Sequence, residues 1–134
     1  MNANDLRIGN WLTCYGENVK VTQIRKDTVH YEYLSKMGNI ISTGEDVENF
    51  TPILLTDELS LRCGFSNKSG WKGMEFTKTF LGDEDSRYAF QLMDDELTIF
   101  VNDVIIHINE KPTVHELQNI WKELNGQELE IKWT

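Results

Sequence analysis

Residues 114–125 hold the one long helical period in the chain, and the segments before it are mostly short, strand-like runs. Val114, Leu117, Ile120, Trp121 and Leu124 recur at the three- and four-residue spacing that puts them on one helix face. Thr113 and Glu116 stand at the capping-box spacing, where a hydroxyl and a carboxylate satisfy the first amides of a helix. Gly126 supplies the stop. Glu128-Leu129-Glu130-Ile131-Lys132-Trp133 then alternates polar and apolar, which predicts a final strand. One helix cannot bury its own apolar stripe, so it must lie on a sheet, and an α+β fold follows.

The sheet material is legible in two groups. Arg7 to Tyr15, Val19 to Ile24 and Thr28 to Leu34 are short β-rich runs parted by Gly16-Glu17-Asn18 and Arg25-Lys26-Asp27. They predict a small curled sheet of SH3-like, barrel-like form, with a hairpin or loop around Ile40-Ile41. Thr56 caps a short helix that carries Asp57 and Glu58 in its first turn and stops at Gly64. A second set of runs follows as an antiparallel meander: Trp71 to Leu81, Arg87 to Met93, Leu97 to Val101 and Val104 to Ile108. Its turns are read at Gly82 to Ser86, Asp94-Asp95-Glu96 and Asn102-Asp103. The organisation expected is a β-rich subdomain over 1–55 and an α+β subdomain over 56–134. One continuous domain is the alternative.

Charge narrows the partners. The formal net charge is −9, with nine acidic and six basic residues up to Asn67 against 13 and seven from Lys68 onward. Nucleic acids and anionic membranes reward clustered Lys and Arg, and only Arg25-Lys26 are adjacent basic residues. Direct nucleic-acid binding and membrane attachment are therefore not expected. The Met1 to Arg7 segment has no apolar run of the signal-peptide kind, and the longest apolar runs are a few residues. Cys14 and Cys63 are far apart and outside any Cys-x-x-Cys pair, which fits reduced thiols in a cytoplasmic protein.

No residue set has the spacing of a catalytic, cofactor or metal motif. His30, His107 and His115 form no His-x-x-x-His pattern, and His115 near a helix start reads as solvated. Asp83-Glu84-Asp85 and Asp94-Asp95-Glu96 lack the twelve-residue calcium-loop pattern and read as solvated hairpin tips. The serines lack a nucleophile elbow, and Cys63 sits by a helix C-terminus, where the dipole disfavours the thiolate. The aromatics are the candidates for recognition. Trp11, Tyr15, Tyr31 and Tyr33 would rim a concave face of the N-terminal sheet, and Trp71 flanks a loop.

Three blocks resemble a family of uncharacterised small proteins found in phages and prophages of Bacteroidetes. They are Asn4-Asp5-Leu6-Arg7-Ile8-Gly9-Asn10 with Trp11-Leu12, Pro52 to Leu59 running on to Cys63-Gly64-Phe65, and Val114 to Trp121 with Leu124 to Leu129. Relatives often carry Trp where Leu59 stands and a smaller aromatic where Trp121 stands, which touches packing positions. The resemblance implies a phage or prophage origin and action inside a bacterial cell, and it brings no functional residue with it. The function expected is that of a non-enzymatic protein-binding module acting on an unidentified protein partner. One alternative is an acidic inhibitor of a host defence or nucleic-acid-binding protein, presenting residues 83–85 and 94–96 on one face. Another is an enzyme of unrecognised type built on His107 or His115 with a carboxylate. Self-association through a sheet edge at Leu129 to Trp133 is a further alternative.

Overall fold

The computed structural model describes residues 3–64, 66–67, 74–80, 83–93, 96–101 and 104–133. The chain is α+β and divides into two compact units. The first comprises Met1–Ile53 with Thr113–Ile120, and the second Leu54–Pro112 with Trp121–Thr134. The first half of the long helix thus belongs with the N-terminal strands.

The first unit holds β1 (Trp11–Cys14), β2 (Glu17–Ile24), β3 (Thr28–Leu34), β4 (Ile40–Asp46) and β5 (Phe50–Thr51). They form one antiparallel sheet in the order β4-β3-β2-β1-β5, open between β4 and β5. A 3-10 turn, Val47–Asn49, leads from β4 into β5. Alternation puts Leu12, Cys14, Val19, Val21, Val29 and Tyr31 on one face, and with Leu6 and Phe50 they make the core of this unit. A bulge between Val21 and Gln23 re-aims the end of β2. Tyr15 and Gly16 form the two-residue link from β1 to β2, with φ of 50° and 80°. That is the pattern of a type I′ hairpin turn, in which the first residue is usually Asn or Asp.

Of the hairpin or loop expected around Ile40-Ile41, the structure has the hairpin, with β4 as its second strand. Its seven residues pair with β3 without a bulge, from Leu34 opposite Ile40 to Thr28 opposite Asp46. Both of its faces are largely in solvent, so it carries no clean apolar alternation.

In the second unit, α1 (Asp57–Arg62) starts where Thr56 Oγ1 accepts from Leu59 N–H at 3.2 Å. The sheet strands are β6 (Ser66–Asn67), β7 (Met74–Phe80), β8 (Asp83–Met93), β9 (Glu96–Val101) and β10 (Val104–Glu110), in the order β10-β9-β8-β7-β6. Asp83, Glu84 and Asp85 therefore begin a strand. The predicted charged turn over 82–86 is corrected, because Asp83 is already opposite Phe80. Asp94-Asp95 and Asn102-Asp103 lie outside the described residues.

The second helix, α2 (Val114–Asn125), has the bounds its period implied. Beyond it, Leu129 is buried between the exposed Glu128 and Glu130, as an alternating extended segment requires. Lys132 N–H donates to Arg62 O, and Arg62 Nη1 donates back to Lys132 O. The segment is thus tied to the end of a helix and, among the described residues, joins no strand ladder.

Candidate functional site

The aromatic candidates of the first unit fall into different environments. Tyr31 is 5% exposed, meets Phe50 edge-on at 5.3 Å and accepts the Cys14 thiol hydrogen at 3.8 Å. Burial pushes the Tyr31 phenol well above its usual range and raises the Cys14 thiol too. Tyr31 is therefore a core residue, and its place on a recognition surface is corrected. Tyr33 and Trp11 are half-buried. The Tyr33 ring lies 6.1 Å from that of Tyr31. Tyr15 is 72% exposed at the tip of its turn. Partial desolvation, then the charge of Glu45, raises its phenol, so Tyr15 stands at the acidic end of β4. Trp71 lies outside the described residues.

What the structure assembles instead is a second exposed set, on the hairpin of β3 and β4. Leu34 and Ile40 are cross-strand partners on one face, 67% and 72% exposed. Tyr33 and Ile41 are partners on the other, and Met37 at the tip is 88% exposed. The turn is held by Ser35 N–H donating to Asn39 O and Gly38 N–H donating to Ser35 O. Leu34, Met37 and Ile40 stand mostly in water and Ile41 is 37% exposed; a side chain left fully exposed forgoes about 1.5–3 kcal/mol of burial, a loss for which the fold of this hairpin offers no return. The other end of β4 is charged: Glu45 and Asp46 are followed by Glu48, and Asn49 Nδ2 donates to Glu45 Oε2 at 2.9 Å. Between the two ends His30 lies across Gly44, where an added Cβ would come 3.0 Å from His30 Cε1.

The pairing alternation of β4 follows from its two ends. Ser35 N–H bonds Asn39 O at one end, and Val47 N–H bonds Asp27 O at the other. In an antiparallel ladder bonded and non-bonded pairs alternate. Both terminal bonds fall in the same register as Tyr33 opposite Ile41, Tyr31 opposite Thr43 and Val29 opposite Glu45. Ile41, Thr43 and Glu45 therefore bond to β3. Ile40, Ser42 and Gly44 point their N–H and C=O groups toward the free edge of the sheet, and Asp46 its N–H, while the Asp46 C=O is taken up by the 3-10 turn that follows.

The polar residues of α2 have a different task. The Gln118 carboxamide is 1% exposed. Its Oε1 accepts from Trp11 N–H at 2.9 Å, and its Nε2 donates to Gly9 O at 3.0 Å. Asn119 Oδ1 accepts from Arg7 Nε and Asn10 Nδ2, both at 2.8 Å, and Asn119 Nδ2 donates to Asp5 O. Arg7 Nη2 donates to Gln118 O, and Asn10 Oδ1 accepts from Arg7 N–H. Two blocks that carried the family resemblance thus meet in one satisfied network. It fixes the N-terminal loop to the start of α2 and leaves those side chains committed to the fold.

His115 is buried, against the solvated position expected of it. Its Nδ1 lies 3.2 Å from Thr113 Oγ1, which donates to Glu116 Oε1 at 2.7 Å and accepts from Glu116 N–H at 3.4 Å. The Thr113 hydrogen goes to the carboxylate, so the imidazole presents Nδ1–H to the hydroxyl oxygen. Burial lowers the His115 pKa, opposed by Glu116 and Asp5. This arrangement caps a helix. His107 stands in β10 opposite Ile99. Among the described residues no three His, Cys, Asp or Glu side chains are grouped to hold a metal ion, and no helix is long and apolar enough to cross a membrane.

In comparisons with known proteins, no family model, no curated protein and no solved structure matched the chain.

Proposed function

We propose that the chain is a non-enzymatic protein-binding module whose recognition surface is the β3–β4 hairpin. The observation that carries this reading is the group Leu34, Met37, Ile40 and Ile41, exposed together beside a free sheet edge. Apolar side chains clustered in water mark interaction sites when the fold itself gives them no use. Tyr33 and Tyr15 belong to the same sheet and extend the surface, while Tyr31 acts behind it as core. The strand order, with a 3-10 turn before a short fifth strand, supports treating the first unit as SH3-like. The resemblance to phage and prophage proteins supports a bacterial cytoplasm as the place of action.

The test is site-specific photo-crosslinking in bacterial cells. A photoreactive residue replacing Met37 is expected to capture discrete protein species, and one replacing the exposed Thr22 of β2 is not. Leu34→Ser with Ile40→Ser should abolish capture from position 37 while the far-UV spectrum stays unchanged. Equal capture from positions 37 and 22 would refute the assignment.

A further inference from the structure

We infer that the free edge of β4 takes up an extended peptide segment, antiparallel, with two consecutive basic residues at its N-terminal end and two apolar residues at its C-terminal end. The inference rests on the hairpin being the recognition surface and adds the mode and the chemistry of the partner.

The mode follows from the backbone. Ile40, Ser42, Gly44 and Asp46 aim four N–H groups outward from a regular strand, and the first three also aim their C=O groups outward. Such an edge is a template for one more strand. Natural edges are protected by proline, lysine, bulges or shortness. β4 has seven residues, no proline, no lysine and no register shift against β3. Its only charges are Glu45 and Asp46, both at one end.

The chemistry follows from the side chains. In an antiparallel partner, the first two residues lie opposite Asp46 and Glu45, and the last two opposite Ile41 and Ile40. Asp46 and Glu45 are consecutive in a strand, so their side chains leave on opposite faces, and two consecutive basic residues meet one each. The exposed ring of Tyr15, at the same end as Glu45, offers a basic side chain an aromatic face. At the other end, Leu34 and Ile40 on one face and Tyr33 and Ile41 on the other receive one apolar residue each. Charge also decides between a foreign peptide and a second copy. Each copy carries −9, so two copies repel where a basic segment is attracted.

The experiment uses the full chain and three synthetic seven-residue peptides. The first has two arginines, a central threonine-valine-threonine and two final isoleucines. The second has the reversed order. The third repeats the first with N-methyl groups on alternate central amides. Binding is followed by fluorescence anisotropy and by amide shifts of the labelled protein. The first peptide is expected to bind at least tenfold more tightly than the second or third, to shift the Ile40 to Asp46 amides, and to weaken as salt rises. Ser42→Pro removes an outward N–H and leaves the β3 ladder whole, so it should cost at least tenfold in affinity. If Ser42→Pro does not fold, the methylated peptide probes the same backbone bonds from the partner's side.

Equal binding of the normal and methylated peptides, with loss on Leu34→Ser, would overturn strand addition and leave the hairpin surface standing. No binding of the peptides, with capture from position 37 intact, would do the same. Loss of that capture as well would overturn both. A dimer that forms with rising concentration and disappears in Ser42→Pro would give the edge to a second copy and overturn the basic partner.

Discussion

Replacing Gln118 by Ala should be among the most damaging single changes outside the apolar core. The side chain makes two hydrogen bonds to backbone groups 107 and 109 residues away, at Trp11 and Gly9. Each bond contributes about 1 kcal/mol net, and withdrawing one partner from a buried pair adds about 1 kcal/mol of uncompensated desolvation. Trp11 and Gly9 are half-buried, so water recovers part of this. The expected loss is about 2–3 kcal/mol, a large share of the roughly 5–15 kcal/mol that holds a domain together. The assay is urea unfolding followed by tryptophan fluorescence. With a slope of about 1–3 kcal/mol per molar, the midpoint should fall by about 0.7–3 M. Gln118→Glu sharpens the test. It keeps an acceptor for Trp11 N–H but turns the donor to Gly9 O into an oxygen facing an oxygen. It should be worse than Ala at pH 7 and recover as the carboxyl protonates. A shift under about 0.5 kcal/mol for Gln118→Ala, the size of an ordinary surface change, would refute the network's structural role.

Other expectations follow from the same structure. Thr113→Val removes the hydroxyl that serves Glu116 and His115, and should lower stability by about 0.5–2 kcal/mol, read by thermal unfolding. His115 binds protons more weakly folded than unfolded, so its contribution is complete above the unfolded value near 6.5 and is lost as pH falls from there through the lowered folded value. His115→Gln should therefore show a smaller drop in melting temperature between pH 7.5 and pH 5.5 than the parent, and an equal drop would contradict the burial argument. Tyr15→Asn relieves a bulky residue at positive φ and restores the favoured type I′ pair with Gly16. It should raise stability by about 1 kcal/mol, and a lowered melting temperature would show that the exposed ring is held by more than the turn. Leu34→Ser and Met37→Ser should each change stability by less than about 0.5 kcal/mol, since both side chains stay mostly in water on folding.

The parts of the fold that the sequence announces are those where local chemistry and burial agree. α2 has a cap, a stripe and a stop, and it runs over the residues these mark. β3 runs from Thr28 to Leu34 as its β-forming residues indicate. β4 is readable only as a hairpin or a loop, because both its faces meet solvent, so it needs no alternation, and Gly38, Asn39 and Gly44 mimic a loop. The strand character of Asp83 to Asp85 is hidden because acids resemble turn chemistry, whereas Asp83 already pairs with Phe80 of β7 and the residues after it are taken up in a register shift before Arg87. Tyr31 and Tyr33 differ only in how far along β3 they sit from the core, which a two-residue period cannot express. The Gln118 and Asn119 network is wholly non-local. One signal for it was present: Gln118 and Asn119 are polar residues of α2 that no cap, turn or apolar stripe accounts for.

A strand with a free edge beside exposed aliphatic residues makes a sharp demand on amide hydrogen exchange along β4 in the protein alone. Residue-resolved exchange by NMR at low protein concentration should alternate. Ile41, Thr43 and Glu45, bonded to β3, should be protected. Ile40, Ser42, Gly44 and Asp46, facing the edge, should exchange nearly as fast as an unstructured chain. Uniform protection of all seven amides would mean that the edge is already covered, and uniform fast exchange would mean that β4 is not a strand. Either result would contradict a free, ordered edge.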